Sequence, residues 1–215
     1  MKRLIIICEG ETEQEFCKDV LYPYFIEKDI HIQAPMIKKS NGGIVMWSEL
    51  KKQIERHIKQ DSEVRVTTLI DFYGIRPVHA FPKFEEAART NQERVQNIEK
   101  GMQESIDSAV QHHFISYIQL HEFEALIFCS LDVIRNNFKE EEANFTEIEK
   151  IINSFPNPED INNNPDTAPS KRLEKCITGY NKPIYGACLT TEIGMTILRQ
   201  KCPRFNAWIE KLENI

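Results

Sequence analysis

The 215-residue sequence has no long apolar segment. The apolar run nearest the N-terminus, Leu4 to Cys8, is short and is followed directly by Glu9. A signal peptide contains an apolar region of about 7–15 residues, and a membrane-spanning helix needs about 20. We therefore expect a cytoplasmic protein without an export signal and without contact to a membrane.

Closely spaced cysteine pairs are absent as well. The 6 cysteines are scattered along the chain, and no C-x-x-C motif occurs. This spacing argues against a zinc ribbon, a thioredoxin-type motif and a disulfide framework. We expect reduced and mostly buried thiols at Cys8, Cys17, Cys129, Cys176, Cys188 and Cys202.

A surplus of basic residues is also missing. The chain has 27 Lys and Arg against 33 Asp and Glu, a net charge of −6. Proteins that bind nucleic acid by themselves usually carry an excess of Lys and Arg for the phosphates. Three alternatives follow: the substrate is small, a divalent metal and local basic segments offset the acidity, or a partner brings the polyanion.

Repeats, heptads and low-complexity tracts are not found, and the composition of 41% apolar and 28% charged residues is typical of a globular protein. A chain of this length buries one sizeable core. We predict an α/β core over residues 1–129 and a helical C-terminal region over residues 130–215 that packs on this core. The stretch from Phe155 to Pro169, rich in Pro and Asn, is linker-like.

Predicted strands alternate with predicted helices in the N-terminal part. The strands are Arg3 to Cys8, Ile30 to Ile37, Val64 to Ile70 and Phe114 to Leu120. The helices are Thr12 to Phe25, a helix with Trp47, Leu50, Ile54 and Ile58 on one side, and Glu85 to Val110. This alternation predicts a Rossmann-like, mostly parallel four-stranded sheet with flanking helices.

Finer signals locate the ends of several helices. Thr12 and Glu15 form a capping-box pattern at the start of the first helix, and an Asn41-Gly42-Gly43 turn precedes the second. After Glu122 the pattern is mostly helical. Further helices are predicted near Ser170 to Ile177, Glu192 to Lys201 and Arg204 to Leu212.

Acidic residues follow three of the predicted strands. Glu9 and Glu13 follow the first, Asp71 the third, and Glu122 and Glu124 the fourth. In an open α/β sheet ligands bind at the carboxyl ends of the strands, where carboxylates repel each other unless a hard cation such as Mg²⁺ or Mn²⁺ lies among them. We therefore predict a catalytic metal site.

The first three of these acids are the predicted metal ligands: Glu9, Glu13 and Asp71. Glu122 or Glu124 would complete the catalytic set, and Glu122 is favoured because it is nearer the strand end. Glu11 and Glu15, by contrast, are interpreted as charges that favour a helix N-terminus.

Several other polar residues are secondary candidates. His121 is either a general base or ligand or a structural histidine. Arg76 and His79 lie in the loop after Asp71, where a cation can stabilise charge on a phosphate, although a plain surface loop explains them equally. Another predicted helix N-terminus is a candidate phosphate site or a solvated helix start: Ser170, Lys171 and Arg172.

Two motifs resemble the signature ends of the TOPRIM domain. These are C-E-G-E-T-E, ending at Glu13, and L-I-D-F-Y-G, ending at Gly74. In TOPRIM domains a glutamate follows the first strand and a D-x-D element follows the third. The resemblance implies that Glu9 is this glutamate and Asp71 the first aspartate, whereas Tyr73, a secondary site candidate, stands in place of the second.

Longer segments extend the resemblance over nearly the whole chain. TLIDFYGI, QLHEFEALIF, TAPSKRL and IGMTILRQKCPRF are similar to a bacterial family of unknown function related to TOPRIM nucleases of the overcoming-lysogenization-defect group. The resemblance implies a TOPRIM-like fold, a nuclease role on DNA or RNA, and genes beside ABC-type or SMC-like ATPases in antiphage defence.

Three function classes stay open at this point. The first is a Mg²⁺- or Mn²⁺-dependent nuclease that works with an ATPase partner. The second is a catalytically degenerate TOPRIM-like subunit that binds or regulates an ATPase, which Tyr73 and the acidic balance favour. The third is a phosphotransferase or hydrolase of small molecules. The sequence leaves the nucleic acid type and a homo-oligomeric state open.

Overall fold

A computed structural model describes residues 1–38, 43–162, 164 and 166–215. Asn41 and Gly42 of the predicted turn lie outside the described residues. So do Asn163 and Pro165 of the linker-like stretch.

Four strands form one all-parallel sheet, as predicted. The strands are β1 (Lys2–Cys8), β2 (Ile30–Gln33), β3 (Val64–Leu69) and β4 (Phe114–Ile115). Their order is β2-β1-β3-β4, and every pair is parallel. The chain first adds a strand on one side of β1 and then continues on the other side. Strand order therefore reverses between β1 and β3.

The outer strands are shorter than predicted. The predictions extended to Ile37 and Leu120, whereas β2 ends at Gln33 and β4 at Ile115. Beyond these strand ends, isolated parallel bridges at Met36 and Gln119 continue the pairing.

The continuous apolar run of β1 reflects burial on both faces of the sheet. Leu4 and Ile6 belong to one buried cluster, whereas Ile5 and Ile7 belong to a second. Successive side chains of a strand point to opposite faces, so both faces are covered.

Helices cover both faces of the sheet. The helices are α1 (Glu11–Phe16), a π-helical turn (Cys17–Leu21), α2 (Tyr22–Ile26), α3 (Trp47–Gln60), α4 (Asn91–Ser105), α5 (Leu131–Asn137), α6 (Phe145–Ser154), α7 (Pro169–Cys176), α8 (Lys182–Lys201) and α9 (Pro203–Glu213). Short 3₁₀ helices are Phe72–Gly74, Pro77–His79, Gln111–His113, Phe123–Cys129 and Pro158–Asp160.

The first helix begins differently from the prediction. Its N-terminal cap is Gly10, and Glu13 Oε2 accepts a hydrogen bond from the Gly10 N–H at 3.0 Å. The predicted capping box of Thr12 and Glu15 is therefore wrong, because the helix starts directly after the turn that follows Glu9.

Two further helices have other bounds than predicted. α4 covers Asn91–Ser105, so the predicted Glu85 to Val110 is too long at both ends. α8 begins at Lys182, well before the predicted Glu192, and its helical backbone is interrupted at Gly194, where φ is 74°. The predicted helix therefore spans this interruption and lacks the first ten residues of α8.

The C-terminal helices pack on one face of the sheet. The buried cluster that contains Leu4 of β1 also contains Trp208 of α9. The Trp208 indole N–H donates to Thr67 Oγ1 of β3 at 2.9 Å, and its ring stacks on Tyr117 at 4.4 Å between centroids. The sheet and α9 therefore share a core.

The cysteine prediction is confirmed. All are free thiols, and Cys188 is the exposed one. Among the described helices, none has the length and apolar character needed to cross a membrane.

Candidate active site

Glu9 and Asp71 meet at the point where strand order reverses. β1 and β3 pair directly, with Cys8 opposite Leu69, so the residues that follow the two strands lie side by side. Glu9 Oε2 accepts a hydrogen bond from the Asp71 N–H at 2.9 Å. In α/β sheets this reversal is where ligands bind.

Glu13 lies in the first turn of α1 and is 3% exposed. Its bond to the Gly10 N–H turns the carboxylate toward the same end of the sheet. A Cβ atom at Gly10 would lie 3.3 Å from Glu13 Oε2, closer than side chains usually approach. Gly10 therefore leaves room for this carboxylate.

Asp71 and Glu124 are held by the segment after β4. Asp71 Oδ1 accepts a hydrogen bond from the Phe123 N–H at 2.9 Å. Glu124 follows in the 3₁₀ helix Phe123–Cys129 and is 0% exposed, and Asp71 is 6% exposed. Both acids are therefore largely removed from water.

Lys182, the first residue of α8, joins these acids. Its Nζ lies 2.9 Å from Glu124 Oε2 and 3.8 Å from Asp71 Oδ2. One turn later, a Cβ at Gly186 would lie 2.5 Å from Thr12 Cγ2. The absence of a side chain at Gly186 lets α8 approach α1 closely, which brings Lys182 to the acids.

Glu9, Glu13, Asp71 and Lys182 line a cleft of about 570 Å³, whereas Glu124 contacts Lys182 without lining the cleft itself. It is lined by Glu9, Gly10, Glu11, Thr12, Glu13, Met36, Ile37, Gly43, Asp71, Lys182 and Pro183. Glu11 thus faces the cleft, although its expected role was only that of a helix-start charge.

Burial changes the protonation of the acids. It raises the pKa of Glu9 to about 7, against the opposing hydrogen bond from the Asp71 amide. It also raises the pKa of Glu124 to about 7, although Lys182 opposes this shift. The pKa of Asp71 is raised well above its ordinary value by burial. Burial disfavours the Lys182 ammonium, but Asp71 and Glu124 outweigh it and raise the Lys182 pKa.

Glu122 has a different position from Glu124. Its Oε2 accepts a hydrogen bond from the Ser170 N–H at 2.9 Å and so caps the N-terminus of α7. Glu124, and not the sequence-favoured Glu122, contacts the lysine that also faces Asp71. The two acids diverge because the chain enters a 3₁₀ helix between them.

His121 is buried next to this segment in a left-handed backbone conformation, with φ 66°. Burial lowers its pKa to about 4, so the imidazole is neutral at neutral pH. Its Nδ1 has no hydrogen-bond partner among the described residues. Left-handed backbone in a buried non-glycine residue is costly and is often found near functional sites.

Tyr73, Arg76 and His79 do not line the cleft within the described part of the chain. The Tyr73 N–H donates to the His121 carbonyl at 2.9 Å. Arg76 is exposed, and its N–H donates to His79 Nδ1 at 3.0 Å in a surface turn. Burial and the nearby Arg76 lower the pKa of His79.

The predicted phosphate-binding residues have partners inside the chain. The Ser170 amide is bound by Glu122, and Lys171 pairs with Glu174 at 2.6 Å. The Arg172 Nε–H donates to the Thr167 carbonyl at 2.7 Å, and the guanidinium lies over the Phe155 ring. Along the described residues, none of the three lines the acidic cleft.

The donor atoms of the cleft fit a hard divalent cation. Glu9, Glu13 and Asp71 supply carboxylate oxygens to the lining. Glu124, which contacts the cleft-lining Lys182, has a buried Oε1 without a hydrogen-bond partner among the described residues. Within the same residues, no three acids, histidines or cysteines already form a metal-binding group. Lys182 lies against two of the acids, so a metal would need its side chain to move.

Sequence reasoning missed Lys182. The Asn181-Lys182-Pro183 segment marks a helix start, since proline is common in the first turn. This signal predicts a helix N-terminus but does not predict at which end of the sheet that N-terminus lies.

Comparison with known proteins returns one family. Residues 8–213 match the family described as "Domain of unknown function (DUF4276)". No curated protein and no solved structure matches the chain. The match spans almost all of the sequence, and the protein belongs to the DUF4276 family.

Proposed function

We propose that this protein is a metal-dependent phosphodiesterase that cleaves nucleic acid, with a TOPRIM-like core. The observation that supports this best is the contact of the Glu9 carboxylate with the Asp71 amide at the reversal of strand order. Glu13 lines the same cleft, and Glu124 is linked to it through the contact of its carboxylate with Lys182.

Mg²⁺ or Mn²⁺ is the proposed cofactor, held by Glu9, Asp71, Glu13 and Glu124. When bound, the ion would polarise the phosphate and activate water. The acids would hold the ion and balance its charge, and Asp71 is itself oriented by the Phe123 amide. Glu122 supports the site indirectly, because it caps the helix that packs beside it.

The proposed TOPRIM-like core differs from TOPRIM domains in one residue of the acidic site. Tyr73 stands where the second aspartate of D-x-D is found in TOPRIM domains. We assign the missing carboxylate to Glu124, which contacts Lys182 together with Asp71.

A partner protein is the proposed source of the nucleic acid. The chain carries a net charge of −6, and Lys182 is the basic residue among those that line the described cleft. Few phosphates can be neutralised by such a surface. An ABC-type or SMC-like ATPase in cytoplasmic antiphage defence is the partner that the sequence resemblance implies.

The experiment is a cleavage assay with Mg²⁺ or Mn²⁺ on duplex DNA, single strands and transfer RNA, with and without the neighbouring ATPase. Glu9→Gln and Asp71→Asn should each reduce cleavage at least about a hundredfold, the scale for groups that act in the transition state. Glu141→Gln, in an exposed turn, is the matched control and should keep full activity. Cleavage that survives in both site variants would refute the proposal.

A second candidate is a degenerate TOPRIM-like subunit that binds an ATPase without cutting. Tyr73 and the ion pairs of Lys182 with Asp71 and Glu124 favour it. Calorimetric titration with Mn²⁺ separates the two candidates. Binding that is lost in Glu9→Gln supports the enzyme, whereas an absence of binding in the wild type supports the subunit. Turnover of free nucleotides with no cleavage of nucleic acid would instead indicate a small-molecule hydrolase.

A further inference from the structure

Lys182 is the basic side chain in the lining of the acidic cleft, as far as the described residues extend. Its amine contacts a fully buried carboxylate, Glu124, and a nearly buried one, Asp71. Buried carboxylates require a counter-ion or several hydrogen bonds, because loss of hydration costs several kcal/mol for an ion.

One ammonium does not complete the neutralisation. Glu9 and Glu13 place two more carboxyl groups in the lining of the cleft, and Glu124 Oε1 is buried with no hydrogen-bond partner in the described chain. A fully buried carboxylate oxygen without a hydrogen-bond partner is a group that a divalent ion can satisfy. The site beside Asp71 and Glu124 can therefore accept more positive charge than the Lys182 ammonium supplies.

The lysine side chain is able to leave this position without unfolding of its helix. It is 40% exposed, although its amine lies against buried acids. The backbone of α8 is held by the close contact of Gly186 with Thr12. A lysine has a flexible four-carbon stem, so rotation of the side chain is enough to move the amine into solvent.

We propose that Lys182 is an internal substitute for a metal ion: its ammonium occupies the cation position beside Asp71 and Glu124, and a divalent ion binds only by displacing it. This inference rests on the proposed function for the identity of the ion. In this proposal the Lys182 ammonium, which carries one charge and is attached to the chain, competes with a free ion that carries two charges. Metal affinity is thereby lowered, and binding exposes the lysine.

The first experiment is calorimetric titration of Mn²⁺ into the full-length protein, without nucleic acid. Lys182→Met should bind Mn²⁺ at least about tenfold more tightly than the wild type, because the competing charge is gone. Lys182→Arg keeps the charge and should bind no more tightly than the wild type. Lys150→Met is the matched control, since Lys150 is 69% exposed and pairs with Glu147 on the surface.

Equal or weaker Mn²⁺ binding by a folded Lys182→Met would overturn the inference. Tight binding by Lys182→Met with none by the wild type would support the inference and reject the enzyme proposal for the natural chain. No binding by any variant would reject the proposed metal and the inference together.

A second experiment uses the wild type, in case Lys182→Met does not fold. An amine-acylating reagent is applied with and without Mn²⁺, and modification of Lys182 and Lys150 is followed by mass spectrometry. Mn²⁺ should accelerate modification of Lys182 several-fold and leave Lys150 unchanged. If Mn²⁺ binds but Lys182 reacts no faster, the proposed displacement is wrong.

Discussion

At the scale of single residues, the acids at the cleft show that burial of ionisable groups at a functional site lowers the stability of the fold. Glu124 is 0% exposed, and Lys182 compensates its charge only in part, so its pKa rises to about 7. A carboxylate that is harder to ionise in the folded than in the unfolded chain destabilises the fold when it is ionised. Such groups are commonly kept for function at a cost in stability.

We predict that Glu124→Gln stabilises the metal-free protein at pH 8. The folded pKa is about 7 and the ordinary value 4.5, so the folded state binds the proton more tightly between these values. The wild type should therefore gain stability as pH falls from about 8 to 5, and the variant should gain less. The difference at pH 8 should be roughly 1–3 kcal/mol.

Urea unfolding at pH 8 and pH 5.5 measures this difference. Glu141→Gln, whose side chain is exposed, serves as the control and should change neither value. A Glu124→Gln variant that is less stable than the wild type at pH 8 would contradict the prediction.

At the scale of secondary-structure elements, the contact of α8 with α1 controls the site. Both helices start at the cleft, and Gly186 of α8 packs against Thr12 of α1. The separation of these helices determines how far Lys182 reaches toward Asp71.

We predict that Gly186→Ala destabilises the protein, although alanine favours a helix by about 1 kcal/mol over glycine. The new Cβ would lie 2.5 Å from Thr12 Cγ2, and overpacking of this kind costs about 1–3 kcal/mol. Thr12→Ser removes the clashing methyl group and should restore most of the lost stability in the double variant. Denaturant unfolding of the wild type, the two single variants and the double variant gives a double-mutant cycle. If the two changes have additive effects on the free energy of unfolding, the predicted contact is contradicted.

At the scale of the whole molecule, one buried cluster links the first strand to the last helix. Trp208 of α9 reaches across to β3 and stacks on Tyr117. Residues on both sides of position 129 therefore share one core. The division of the chain into two regions at this position stays a prediction.

We predict that the sheet and α9 unfold together. Trp208→Phe removes the hydrogen bond to Thr67 and part of the buried ring, which should lower the free energy of unfolding by about 1–2 kcal/mol. In the wild type, which keeps the tryptophan of α9, the transition should be single, with far-ultraviolet circular dichroism and intrinsic fluorescence giving the same midpoint. Separate midpoints would show that α9 unfolds independently of the sheet.

The elements that were predictable have strong local signals. β1 and β3 are apolar or β-branched runs, and Glu9 and Asp71 follow them directly. Parallel strands end at the same edge of a sheet, so a meeting of these two acids followed from the order of elements alone. The helices near Ser170 and Arg204 were likewise visible from apolar periodicity.

The ends of elements were less predictable because nonlocal contacts determine them. The predicted β4 reached Leu120, but the paired strand covers only Phe114–Ile115, and pairing resumes as an isolated bridge between Gln119 and Asp71. The early start of α8 at Lys182 was missed as well, although the Asn181-Lys182-Pro183 segment is a signal for a helix start.

What the sequence by itself determined is the class of the fold and the acidic end of its sheet, because strand burial and the alternation of strands with helices depend on local patterns of apolar and polar residues. Only the tertiary structure separated the positions of Glu122 and Glu124 and brought Lys182 to Glu124. Those positions depend on how α7 and α8 pack against the sheet. Packing joins residues that are far apart in the chain, and no local pattern encodes such a distance.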